Sequence, residues 1–297
     1  MTISLIERGA CPLCDHAESD LLCTIPFSRP DLRDFLDQFY TGRMPANALE
    51  GYNYRVVQCT ACQFVYQDPV LNEDGMQALY GQWIDQAASL RKKQTTRAKL
   101  ERKYSRQIAI LASVLRDSPI NVRILDFGMG WGYWSSVAQA QGYQVDGFEL
   151  STERCAHARA LGVNAIEQLP EPGPHYQVIF ANQVFEHLPK PRQTLETLRD
   201  RLVPGGIVYL RVPDGRGIPQ QLKSDGWEPG MDAIHPLEHI NCFTRKTLLQ
   251  MASSVGLRPF NPPLRLEWRT LWGGIRREFA DRFLTTHVFF RYDRRRI

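Results

Sequence analysis

RILDFGMGWGYWSSVAQAQGYQVDGFE, residues 123–149, is the stretch from which the fold is read. It opens with a short apolar run, Ile124-Leu125, that closes on Asp126-Phe127 and reads as a buried strand. Glycines follow on alternate positions at Gly128, Gly130 and Gly132, then a helix-compatible segment from Tyr133 to Gln141 that Gly142 ends. Tyr143 to Phe148 reads as a second strand, and Glu149 stands at its end. Strand, glycine bend, helix, strand and carboxylate make half of a nucleotide-binding α/β unit.

The glycine spacing separates nucleotide classes. A dinucleotide fingerprint, G-x-G-x-x-G, would place its third glycine at position 133, where Tyr133 stands. The pattern D-x-G-x-G-x-G instead resembles motif I of the class I S-adenosylmethionine-dependent methyltransferases. The resemblance implies a Rossmann-like, seven-stranded α/β methyltransferase sheet with S-adenosylmethionine as cofactor. It implies that Asp126, Gly128, Gly130 and Gly132 pass close under the amino-acid end of that cofactor, and that Glu149 accepts its ribose hydroxyls. Glu167 or Gln168, after the third expected strand (Val163 to Ile166), is the candidate for the adenine amino group. Tyr176 to Asn182 reads as the fourth strand, and the sequence Gln183-Val-Phe-Glu-His187-Leu after it is similar to the family's post-strand-four motif. Asn182 and Gln183 are thereby expected near the sulfonium. Pro204-Gly-Gly206 matches the turn into a fifth strand, and the tail is expected to supply two more, Val288 to Tyr292 being the clearer.

Two Cys-x-x-Cys pairs, Cys11/Cys14 and Cys59/Cys62, lie upstream. Two such turns close a tetrahedral Zn²⁺ site without water, which makes the expected ion structural. Forty-four residues separate the pairs, more than a simple ribbon needs, and Asp31 to Tyr40 has the apolar spacing of an inserted helix. The expected organisation is a zinc-binding domain over 1–80, a helical linker over 81–118 and a methyltransferase domain over 119–297 with an inserted loop at about 213–243. That loop contains Trp227, His235, Glu238, His239 and Asn241. The cysteine pairs together with Glu238-His239 look like those of nucleotide-sugar C-methyltransferases. That likeness points to His239 as base, Glu238 as its partner, and His187 and Tyr80 as substrate contacts. His235 and His239 also stand at metal-pair spacing, but Pro236 between them breaks a helix.

A net charge of +4 in 297 residues is too weak by itself to argue for nucleic acid. Eight Lys or Arg against Glu101 crowd residues 91–106, yet Ile108, Leu111 and Leu115 continue an apolar helical stripe, so the run is expected to be a solvated helix face. An RNA methyltransferase gripping its substrate with the zinc module, or an inactive binding protein on the same fold, are the alternatives. No run suits a membrane span, and Glu7 and Arg8 sit where a signal peptide is apolar, so the expected location is cytoplasmic. The expected partner is a small-molecule substrate; the oligomeric state is left open.

Overall fold

The computed structural model describes residues 2–115, 117–224, 227–262 and 286–293. They form two compact units: Leu90–Val184, Gln193–Val212 and Ala252–Ile297 in one, Met1–Ser89, Phe185–Arg192 and Pro213–Met251 in the other.

The first unit is built on a seven-stranded sheet. Its strands are β1 (Arg123–Phe127), β2 (Gln144–Phe148), β3 (Asn164–Ile166), β4 (Tyr176–Asn182), β5 (Leu202–Arg211), β6 (Leu257–Phe260) and β7 (His287–Tyr292), in spatial order β6-β7-β5-β4-β1-β2-β3. Every pairing from β5 to β3 is parallel, while β7 runs antiparallel to both its neighbours. The mixed sheet has the doubly wound form expected, and both strands expected from the tail are present. Parallel strands are covered on both faces, which is why β1 and β4 carry consecutive apolar residues: Ile124, Leu125, Val178 and Ile179 are fully buried. Trp134, on the helix Tyr133–Ala140, stacks on Phe180 at 4.1 Å, and Tyr209 stacks on Phe289 at 3.9 Å. The basic run lies on the helices Gln86–Thr95 and Arg97–Ala112. On the second of these Ile108 and Leu111 are fully buried while Arg102 and Arg106 stay exposed, the amphipathic arrangement its spacing predicts.

The second unit holds a four-stranded antiparallel sheet, ordered Asn241–Cys242, Val65–Gln67, Asn53–Cys59, Ser19–Pro26. The expected inserted helix spans Pro30–Phe39 and buries Leu32 and Leu36. Asn72 caps the helix Glu73–Ala78 by accepting from the Gly75 amide, and the chain runs straight on into a π-helical turn, Leu79–Trp83. Segment 213–243, read from sequence as a loop of the catalytic domain, contributes an edge strand to this sheet: Asn241 pairs with Tyr66 and Cys242 with Val65. A two-residue strand has no periodicity to betray it. The closing Arg294-Arg295-Arg296, read as a frayed end, lies outside the described residues. Among the described residues no helix is long and apolar enough to cross a membrane.

Candidate functional site

The bend after β1 is held by backbone geometry that glycine alone adopts at low cost. Gly128, Gly130 and Gly132 have φ of 72°, 58° and 76°. The amides of Gly128 and Met129 both donate to the carbonyl of Phe148, tying the bend to the end of β2. A Cβ on Gly128 would lie 2.6 Å from Val184 Cγ2, and one on Gly132 2.7 Å from Ala158 Cβ, so these two glycines are required by packing. Gly130 differs: a Cβ there meets nothing within 4 Å. Its amide donates to Glu149 Oε2 at 3.1 Å, and the other carboxylate oxygen accepts from the amides of Leu150 and Ser151 at 2.9 and 3.0 Å. A bend open to approach, with an ordered carboxylate beside it, fits the ribose and amino-acid portion of an adenosyl cofactor. The side chain of Leu150, 75% exposed, offers an apolar surface next to that carboxylate.

Asp126 is buried and accepts from the Ser135 hydroxyl at 2.6 Å. Burial pushes its carboxyl up to about 7, against the pull of the Ser135 bond. Glu167 stands just past β3 in an exposed pair with Arg159 at 2.9 Å, and Gln168 beside it is exposed. Asn182 closes β4; Gln183 has φ of 59° and donates its amide to the Arg211 carbonyl at 2.8 Å. A non-glycine residue in the left-handed region is uncommon enough to mark a specialised turn.

The other unit gathers the candidate histidines His187, His235 and His239. A 3₁₀ turn, Phe185–His187, carries Glu186, which is wholly buried, and His187. His187 Nε2 is 4.0 Å from Glu186 Oε1, and its Nδ1 is 3.2 Å from the hydroxyl of Tyr80 on the π-helical turn. The His239 ring meets that of His187 edge-on at 4.9 Å between centroids. His239 Nδ1 sits 2.6 Å from the Asp232 carbonyl oxygen, which fixes a proton on Nδ1 and leaves Nε2 as acceptor. Burial holds the His239 imidazole below its usual value, partly offset by Asp232. Glu238, expected to partner His239, accepts a hydrogen bond from the buried Tyr40 hydroxyl at 3.2 Å. His235 packs against Phe35 and Phe39 with Nδ1 2.9 Å from the Pro236 carbonyl oxygen, and burial pushes it down to about 4.

Several residues that hold this group, Asn241 of the inserted loop apart, were not among the site candidates read from the sequence. Gln67 donates to the carbonyls of His235 and His239 and accepts from the Leu237 amide. Asn241 donates to the carbonyls of Phe185 and Leu188, fixing the turn under His187. Arg8 reaches Gln67, Pro189, Ile240 and Asn241, so one guanidinium ties four strands of chain. The one trace available was a polar Gln67 closing the apolar run Phe64-Val-Tyr, a position buried to 2% exposure.

The four cysteines come together in the same unit, their Sγ atoms within 4.8 Å of one another. Cys11 and Cys62 sulfurs are 3.6 Å apart, as are those of Cys14 and Cys59. With Zn–S bonds of about 2.3 Å a tetrahedron has edges of about 3.8 Å, so the spacing fits an ion and is far too long for a disulfide. The Cys62 amide points at Cys59 Sγ, 3.5 Å away, the kind of donor that stabilises a thiolate. Cys155 lies apart, donating to the Glu149 carbonyl at 3.2 Å.

A family profile described as a methyltransferase domain matches residues 79–260. The ubiquinone biosynthesis O-methyltransferase of Paraburkholderia xenovorans (strain LB400) is 30% identical over 162 residues, 47% of this chain and 68% of that protein. A protein of the same description from Vibrio cholerae serotype O1 (strain M66-2) is 29% identical over 99 residues, 30% of this chain and 40% of its own length. Among solved structures, the plantazolicin methyltransferase BpumL in complex with a triazolic desmethylPZN analog and SAH superposes with a TM-score of 0.49 at 16% identity, covering 73% of this chain and 94% of that one.

Proposed function

We propose that this chain, which belongs to the methyltransferase-domain family and is an S-adenosylmethionine-dependent methyltransferase, methylates a small molecule at oxygen or carbon, on a nucleotide-linked sugar or a natural-product intermediate. The observation that carries the reading is the open Gly130 bend with its amide bonded to Glu149. Asp126, Gly128, Gly130, Gly132 and Glu149 hold the cofactor. Glu167 or Gln168 takes the adenine amino group, and Asn182 and Gln183 serve the sulfonium end. When bound, S-adenosylmethionine supplies an electrophilic methyl group, so the chain's own task is positioning, exclusion of water and removal of one proton from the acceptor.

His239 is the group for that proton. Its Nδ1 is committed to a carbonyl and its half-buried ring is held below the usual imidazole value, so Nε2 carries a lone pair ready to accept. His187 and Tyr80 contact the acceptor; Glu238, oriented by Tyr40, binds or orients the same group. An oxygen acceptor draws support from the O-methyltransferases among the relatives, a carbon one from the Glu238-His239 likeness. The four cysteines hold a structural Zn²⁺, a closed set with no position for substrate.

The test is transfer of labelled methyl from S-adenosylmethionine to nucleotide-linked keto sugars and to phenolic acceptors, with His239→Asn alongside. Turnover on one class, lost by at least about a hundredfold in the variant with cofactor affinity retained, is the expected result. Unaltered turnover in the variant removes His239 from the reaction; no transfer to either class removes the substrate assignment.

A further inference from the structure

We infer that Glu186, His187 and His239 form a binding site for a divalent transition-metal ion, separate from the four cysteines. One ligand atom from each lies within 4.8 Å of the other two. The arrangement comes from two stretches distant in sequence, the 3₁₀ turn Phe185–His187 and the loop that leads into Asn241–Cys242. In a tetrahedral site with metal–ligand bonds of about 2.0–2.2 Å, neighbouring donors stand about 3.3 Å apart. The 4.0 Å between His187 Nε2 and Glu186 Oε1 closes to that with small side-chain rotations.

The surrounding hydrogen bonds are those a metal site uses. Metal-bound imidazoles pass their second nitrogen to a carbonyl or another outer partner, which fixes the tautomer and aims the first nitrogen at the ion. His239 does this through Nδ1 and the Asp232 carbonyl at 2.6 Å, and His187 through Nδ1 and the Tyr80 hydroxyl at 3.2 Å. In both rings Nε2 is the remaining ligand atom, and for His187 it already faces the carboxylate. The carboxylate has no solvent exposure, and Asn241 holds the turn beneath it through two carbonyls. A wholly buried carboxyl beside two imidazoles is a donor set that suits a dication.

Two imidazoles and one carboxylate suit Zn²⁺, Co²⁺, Fe²⁺ or Mn²⁺, and leave coordination positions for an oxygen donor such as a hydroxyl or keto group. The cysteine set has no such positions. Ligation and proton acceptance draw on the same Nε2 lone pair of His239, so with the ion bound the acceptor's acidity would be raised by the metal instead of by His239. The site stands on the histidine unit alone and does not depend on the methyl-transfer reading.

The experiment starts from protein carrying one equivalent of zinc on its thiolates and titrates it with Co²⁺, read by calorimetry and visible absorption. One further equivalent should bind, giving weak ligand-field bands and no sulfur-to-metal charge transfer. His239→Gln and His187→Asn should each weaken it by more than about a hundredfold, beyond the ten- to hundredfold cost of disturbing an outer partner. Glu186→Gln should do the same. Retention of one zinc on the thiolates of the same unit, measured on each variant by metal analysis with circular dichroism, reports that this unit is still folded. A wild-type protein that takes no further ion overturns the site, as does a second equivalent that survives His239→Gln or His187→Asn. Absence of cofactor binding in the wild type would count against the methyltransferase reading and leave the cobalt result standing.

Discussion

The backbone amide of Gly130 donates to the carboxylate of Glu149 at 3.1 Å, so the glycine bend after the first strand and the acid after the second form one rigid piece. The same carboxylate accepts from Leu150 and Ser151. The acid is therefore ordered before any nucleoside arrives, and its remaining lone pairs are aimed without an entropic cost at binding. Glu149→Ala should weaken S-adenosylmethionine by about 3 kcal/mol or more, two charge-assisted hydrogen bonds at ~1.5–3 kcal/mol each. Calorimetry checks this, and equal affinity in the variant would contradict the cofactor assignment.

The three glycines should not respond alike to a methyl group. Gly128→Ala places Cβ 2.6 Å from Val184 Cγ2 at a φ of 72° and should lower stability markedly. Gly130→Ala meets no protein atom within 4 Å, so its folding cost is the left-handed backbone alone, about 1–2 kcal/mol. In the cofactor arrangement proposed above, its methyl group instead enters the cofactor's space. Thermal unfolding with cofactor titration separates the two: a stable Gly130→Ala that no longer binds, against an unstable Gly128→Ala.

Two groups of the unit with the seven-stranded sheet, Asp126 buried and His287 half-buried, should give opposing pH dependences. Asp126 is raised by burial to about 7, so its contribution is full below the unfolded value of 3.8 and is lost as pH rises toward 7. The whole effect is of order 4 kcal/mol. His287 is lowered to about 4, by burial first and then by Arg211 and Lys103, so its contribution is present above 6.5 and is lost as pH falls toward 4. Between pH 4 and 7 the two partly cancel. Asp126→Asn should uncover a loss of stability on acidification, and His287→Gln a gain. Urea midpoints across that range are the measurement, and curves that merely run parallel would show that neither group titrates as described.

Zinc removal should act on the N-terminal residues and spare the cofactor bend. Apparent binding energies of structural zinc reach ~10–16 kcal/mol, far more than a small antiparallel sheet supplies for itself. Strong chelators, or Cys59→Ser at a fully buried ligand, should release one zinc per chain and melt this sheet, seen by metal analysis with circular dichroism. A protein that keeps its full signal without zinc would show the cluster to be four free thiols.

Much of this was legible in the linear chain because it rests on short-range geometry. Asp126, the alternate glycines and Glu149 lie within one strand-turn-helix-strand unit, and each Cys-x-x-Cys pair is a single turn. What tertiary structure alone decided is which distant groups meet. His187 meets Tyr80 and His239, Glu238 meets Tyr40, and the loop leading to Asn241 joins a sheet that begins before residue 26. Those meetings are held by buried and partly buried hydrogen bonds from Arg8, Gln67 and Asn241 to backbone carbonyls, and a carbonyl is present at every residue. No residue type or spacing marks the one that will be used, so only the closed chain reveals it.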